Sequence, residues 1–277
     1  MKTALVKKAD GSTESFDRAK LERSLRRSGA GEEAVRGIVA HIETELQDGM
    51  STGEIYRHAR ALLKNKEAPA AGCYSLRRAL AGLGPTGFPF EDFLAELFRA
   101  KGYTTHTGIT MRGNCVEHEV DLVAHKRDDC VIAEAKFHAH HGMKTDLQVA
   151  LYTHARFEDL KNAPLPHDSS RRVTGAYLIT NTKFTSVAIA YAECVGLRLL
   201  SWNYPKGRTL QDEIQAAGIY PITTLTTLSA QEKRLLLNNG MVLCKDMPER
   251  SQALRSMGFS QKKIETLISE SVNLCSA

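Results

Sequence analysis

No run in this 277-residue sequence approaches the roughly 20 consecutive apolar residues that a membrane span requires. The opening stretch, MKTALVKKADG, holds too short an apolar segment for a secretory signal, so a cytoplasmic chain with no membrane partner is expected. The six cysteines, Cys73, Cys115, Cys130, Cys194, Cys244 and Cys275, include no C-x-x-C pair. That spacing argues against a disulfide framework or a zinc–thiolate cluster, and for reduced, mainly buried thiols. Nor does one sign of charge dominate: 37 basic and 32 acidic residues leave a formal net charge of +5. Such a balance permits a polyanionic partner without demanding one. What remains is an ordinary soluble composition, 42% hydrophobic and 25% charged, long enough for two or three domains.

Within that composition the richest stretch is VEHEVDLVAHKRDDCVIAEAKF, residues 116–137. Residues 120–124 and 131–136 are β-prone runs, and Lys126-Arg127-Asp128-Asp129 between them has the polar character of a hairpin turn. Pairing His125 with Cys130 sets Asp121 directly across from Glu134 and Glu119 across from Lys136. Alternation then gathers Glu119, Asp121, Glu134 and Lys136 on one face and Val120, Leu122, Ala133 and Ala135 on the other. Opposed Cβ atoms lie about 4.5–5.5 Å apart, close enough for two carboxylates to repel unless a cation separates them. An all-oxygen site with room for water suits Mg²⁺, with Mn²⁺ as a substitute. The bland alternative is a solvated, salt-bridged hairpin surface.

The chain opens with a short hairpin, residues 5–8 and 15–16 flanking the Asp10-Gly11 turn. Asp17 then caps a helix through Leu21 and Leu25; residues 32–46 form a second; Ser51-Thr52-Gly53-Glu54 is a capping box that opens a third; residues 74–80 belong to a fourth. The pattern V-x-K-x-D-G-x-x-E-x-F-D-x-x-K-L, followed by S-T-x-E-I-Y and Y-x-L-R-R-A, resembles the ATP-cone, the nucleotide-sensing module of ribonucleotide reductases and their transcriptional repressor. The resemblance implies that Val6, Lys8, Glu14, Lys20 and Thr52 contact ATP or dATP, the lysines serving the phosphates. One position departs from the family, which commonly carries a basic residue where this chain has Ala9.

Residues 82–89 concentrate glycine and proline and mark a boundary. Beyond it the pattern reads as a helix over 90–101, a strand over 103–107, the acidic hairpin, a helix over 146–160, a buried-type strand over 173–180, a helix over 186–195 stopped by Gly196, and a strand over 197–202. Strand, helix and strand joined by short loops imply a parallel pair. This αβββαβαβ order, with D-x12-E-x-K across the hairpin, resembles the PD-(D/E)xK nuclease superfamily in its Mrr-like restriction endonuclease branch. The Phe90-Glu91 helix opening, the Gln148 and Tyr152 pair and the strand ending in Trp202 extend the likeness. It implies a mixed-sheet α/β nuclease domain in which Asp121, Glu134 and the Ala135 carbonyl hold the metal, Lys136 orients water, and Glu91 and Gln148 assist. Arg156, Arg171, Arg172 and His118 are candidate phosphate contacts. The His138, His140 and His141 tract reads as solvated in preference to a zinc site.

After a linker at 204–208, helices are expected over 210–216, 229–238, 254–258 and 260–274. The motifs around Gly240 and Gly258 faintly resemble helix-hairpin-helix DNA-binding units, with dimerisation or packing as the alternative. The sequence thus divides as a multidomain α/β chain into 1–84, 85–203 and 204–277. Its expected activity is that of a metal-dependent endodeoxyribonuclease, like a type IV restriction endonuclease, regulated by ATP or dATP and working on DNA as a homodimer or larger assembly. A nucleotide-responsive DNA-binding regulator and a junction- or RNA-selective nuclease are the alternatives.

Overall fold

The computed structural model describes residues 4–8, 10–84, 86–140 and 142–275. The chain divides into two compact units. One comprises 1–76 with 224–227 and 247–277; the other comprises 77–223 with 228–246, so the segment beyond residue 204 contributes to both.

In the first unit, β1 (Leu5–Lys7) and β2 (Thr13–Ser15) form an antiparallel hairpin with Val6 opposite Glu14. The helices are α1 (Arg18–Arg27), α2 (Glu32–Glu45), α3 (Thr52–Lys66) and α4 (Ala68–Ala81), the last belonging to this unit up to Leu76. Their starts follow local chemistry. Asp17 accepts the Lys20 N–H, and Ser51 and Glu54 complete the reciprocal capping box expected for α3. Leu25, Val35, Ile38, Ile42, Ala59 and Leu63 recur at helical spacing and are fully buried together.

The second unit begins with α5 (Phe88–Ala100), whose Phe90, Phe93, Leu94 and Leu97 are buried. Then follow β3 (Thr104–Arg112), β4 (Glu117–Lys126), β5 (Asp129–Lys136), β6 (Lys144–Thr145), α6 (Leu147–Leu160), β7 (Pro164–Leu165), β8 (Asp168–Arg172), β9 (Gly175–Thr180), β10 (Lys183–Phe184), α7 (Ser186–Val195) and β11 (Arg198–Leu200). The main sheet has five strands in the order β11-β9-β5-β4-β3. β4 runs antiparallel to both neighbours, while β5, β9 and β11 are parallel. Val123 and Ile132 pack with Ala150 of α6 and Ala188 of α7 on one face. On the other, Tyr177 meets Phe98 of α5 edge-on.

The mixed α/β class read from the sequence is the one observed. β3 runs five residues past the expected end at Thr107, through Gly108 at φ 60°, a left-handed conformation that glycine adopts readily, with one register to β4 on both sides of it. The β7–β8 hairpin was not legible because its residues are mostly polar and exposed. Helices α8 (Leu210–Ala217) and α9 (Ala230–Asn238) belong to this unit, whereas α10 (Ser251–Ser256) and α11 (Gln261–Cys275) belong to the first. No helix among the described residues is long and apolar enough to cross a membrane. Of the six cysteines only Cys73, Cys130 and Cys244 are buried, while Cys115 and Cys194 are exposed.

Candidate functional site

The β4–β5 register is the expected one, with His125 opposite Cys130 and Leu122 opposite Ala133. There the ladder stops. Asp121, next in line, turns its carboxylate to the strand and accepts the Ala135 N–H at 2.7 Å. The expected pairings of Asp121 with Glu134 and of Glu119 with Lys136 are not made, because the β4–β5 ladder ends at Leu122 and Ala133. A side chain that replaces a backbone acceptor lets the two strands part, and the acidic face lies at that fork.

Burial raises the pKa of Asp121 above the usual carboxylate range, against the opposing pull of the Ala135 hydrogen bond, Arg156 and Lys136. Glu134 is likewise raised, by burial first and then by the charge of Asp121. Glu91, on the first turn of α5, is pushed up to about 7 by burial and by the charges of Asp121, Asp92, Glu119 and Glu134. Three carboxyl groups from α5, β4 and β5 thus act on one another, with too little positive charge nearby to balance them. Lys136 is exposed and lowers both Asp121 and Glu134. Gln148 sits exposed on the first turn of α6, one turn before Tyr152.

Glu134 has a partner that the sequence did not reveal. Arg156 of α6 donates from Nη1 to its Oε2, with side-chain exposures of 11% and 17%. The guanidinium also lies 4.5 Å from the centre of the Tyr152 ring and donates to the Tyr152 hydroxyl, leaving its buried Nε without a partner. No three His, Cys, Asp or Glu side chains among the described residues form a metal-binding group. The donor set still fits a hard divalent ion in kind: carboxylate and carbonyl oxygens carrying excess negative charge.

The other proposed phosphate contacts are engaged within the fold. His118 meets Asp159 at 2.7 Å, and Arg171 bonds Asp168 at 2.9 Å. Arg172 is exposed and donates to the Ser169 carbonyl. In the histidine tract His138 is half-buried, its Nε2 3.1 Å from Thr145 Oγ1 and its backbone clasped on both sides by the Asn181 amide. His140 is exposed, and His141 lies outside the described residues.

In the first unit, Val6, Glu14, Lys20 and Thr52 line a cleft open to solvent. Glu14 holds two lysines, Lys8 at 2.7 Å and Lys20 at 3.2 Å, and its pKa is lowered by both. Tyr56 and Tyr74, residues of the quoted motifs that had been given no role, also line the cleft and stack on each other at 5.1 Å. Ala9 lies outside the described residues.

Residues 4–80 match the ATP cone domain family, which supports nucleotide binding by this unit. Residues 220–275 match the family described as AF1548-like, C-terminal. An uncharacterized protein of Archaeoglobus fulgidus is 35% identical over 178 residues, spanning 64% of this chain and 97% of that one. The chain belongs to the AF1548-like family. A crystal structure titled as a protein of unknown function, AF1548, superposes on this AF1548-like chain with a TM-score of 0.55 at 32% identity, covering 69% of this chain and 99% of the other.

Proposed function

We propose that this AF1548-like chain is a metal-dependent DNA endonuclease controlled by ATP or dATP. The observation that carries the reading is the convergence of Glu91, Asp121 and Glu134 where β4 and β5 part, with Lys136 alongside. Asp121, Glu134 and the Ala135 carbonyl would hold Mg²⁺ or Mn²⁺. When bound, such an ion supplies a Lewis acid and lowers the pKa of a water. Asp121 is fixed for ligation by the Ala135 N–H, which holds one carboxylate oxygen and leaves the other free. Lys136 orients the attacking water and offsets negative charge developing at the phosphate. Glu91 holds its proton up to about pH 7 while no cation is present, which limits the repulsion inside the cluster. Cutting both strands calls for two copies of the chain, and Mrr-like relatives direct attention to modified DNA.

In the nucleotide unit, Glu14 occupies the place that triphosphate oxygens would take between Lys8 and Lys20. ATP or dATP would displace that carboxylate and lodge its base against the tyrosine wall of the cleft.

A second reading, a nucleotide-responsive DNA-binding regulator, draws support from the Arg156 ion pair, which engages Glu134 where an active site needs it free. Supercoiled plasmid, methylated and unmethylated, incubated with Mg²⁺ with and without ATP separates the two. Relaxed or linear product is expected from wild type, with Lys136→Ala slowed by about 10²- to 10³-fold. Retarded but uncut DNA would favour the regulator, and cleavage surviving both Glu134→Ala and Lys136→Ala would refute the site. Calorimetry of ATP and dATP should give heat with wild type and less with Lys20→Ala; no heat at millimolar nucleotide removes the nucleotide from the account.

A further inference from the structure

Arg156 occupies a position that metal binding alone does not explain. Its guanidinium contacts both a half-buried carboxylate, Glu134, and an exposed ring, Tyr152. It also acts favourably on Asp121, so a single resident cation serves both acids that the proposed ion would use. Moving it away with nothing to receive it would leave a half-buried charge uncompensated, which is unfavourable. A phosphodiester is a matched receiver, because the planar fork of an arginine pairs with phosphate as it does with carboxylate. Tyr152, 55% exposed, has its ring centre 4.5 Å from the guanidinium, so the arginine rests against a ring that reaches solvent.

We infer that Arg156 is a latch: it holds Glu134 while DNA is absent and passes to a backbone phosphate when DNA arrives, so that divalent ion and DNA bind cooperatively. The inference rests on the proposed metal-holding role of Asp121 and Glu134. Arg156 is therefore a positioning residue, acting through Glu134. Coupling between the two ligands is reciprocal, so the ion must tighten DNA binding by the same factor.

The test follows Mn²⁺ binding to the full chain by the electron paramagnetic resonance of free Mn²⁺, with and without a phosphorothioate-linked duplex and with duplex alone as control. For wild type, DNA should tighten Mn²⁺ binding about tenfold. Arg156→Gln should bind Mn²⁺ about tenfold tighter than wild type without DNA and gain less than about twofold from DNA, the coupling having been removed. Arg156→Lys keeps the charge but loses the fork; it should fall between the two and serves if the glutamine variant does not fold. Mn²⁺ binding that is equal in wild type and both Arg156 variants, yet lost in Asp121→Asn, overturns the latch and leaves the metal site standing. Binding that is absent throughout, or indifferent to Asp121→Asn, overturns the site itself and the latch with it.

Discussion

Asp159 closes the turn between β3 and β4 with one carboxylate. It accepts from the Cys115 N–H at 2.7 Å and the Val116 N–H at 3.2 Å while meeting His118 at 2.7 Å. These contacts, His118 first, hold its pKa well below the usual carboxylate range, so the stability it adds is present above that range and is lost in strong acid. Gly113 permits the approach, since a Cβ there would stand 2.2 Å from Asp159 Oδ2 and 3.1 Å from its backbone oxygen. Gly113→Ala is expected to cost about 1–3 kcal/mol in denaturant unfolding; an unchanged midpoint would contradict the clamp. Glu91 runs the other way. Its pKa of about 7, against an ordinary 4.5, means that the native state binds more protons than the unfolded one in that window, so stability falls as pH rises through it. His106, its ring tilted against that of His167 at 4.1 Å and its pKa depressed by burial and by the charges of His167, His125 and Arg99, adds a loss below its ordinary 6.5. In chelator, the melting temperature of wild type should drop between about pH 6.5 and pH 8, above the range where the histidine works the other way, and Glu91→Gln should flatten that slope. An identical slope in the variant would show that Glu91 is not held as an acid. Strand alternation in the sequence singled out Asp121 and Glu134. The sequence hid the pairing of Arg156 with Glu134 and the role of Asp159, because the partners lie 22 and more than 40 residues away with no period to mark them.

Among elements, helix ends were the most legible, because caps are local. Asp17, Ser51 with Glu54, Asp146 and Thr185 each bond the N–H groups that start a helix, and Gly196 ends α7 at φ 74°. Parallel pairing of β9 and β11 followed from the strand–helix–strand order. The sequence order of the elements does not convey where the tail goes. Ile264, Leu267 and Leu274 of α11 are buried in the unit formed by residues 1–76, where a Cβ on Gly72 would lie 2.6 Å from Leu274 Cδ1. Glu270 ties the 224–227 segment into the same unit by accepting the Thr227 N–H at 3.0 Å. A chain ending at residue 246 should therefore melt its nucleotide unit at lower temperature and bind an apolar dye. A midpoint equal to that of the full chain would mean that α11 adds nothing to that core.

For the whole molecule, the mixed α/β class and the ATP-cone match over residues 4–80 are as the sequence foretold, whereas the acidic hairpin opens into a fork at Asp121 instead of pairing through it; the cleft and the fork are the two candidate sites. Both hold internal cations against carboxylates: Lys8 and Lys20 on Glu14, Arg156 on Glu134. Each pairing is one that an incoming phosphate could exchange, which under the proposed function would give nucleotide and DNA a common means of acting on the protein. The central claim, that the fork hydrolyses phosphodiester bonds, is tested most directly by single-turnover cleavage of end-labelled duplex in Mg²⁺, comparing wild type with Asp121→Asn and Glu134→Gln. The account predicts Mg²⁺-dependent product from wild type and a loss of about 10²-fold or more in each variant; equal rates in all three, or no product from wild type at any Mg²⁺ concentration, would contradict it.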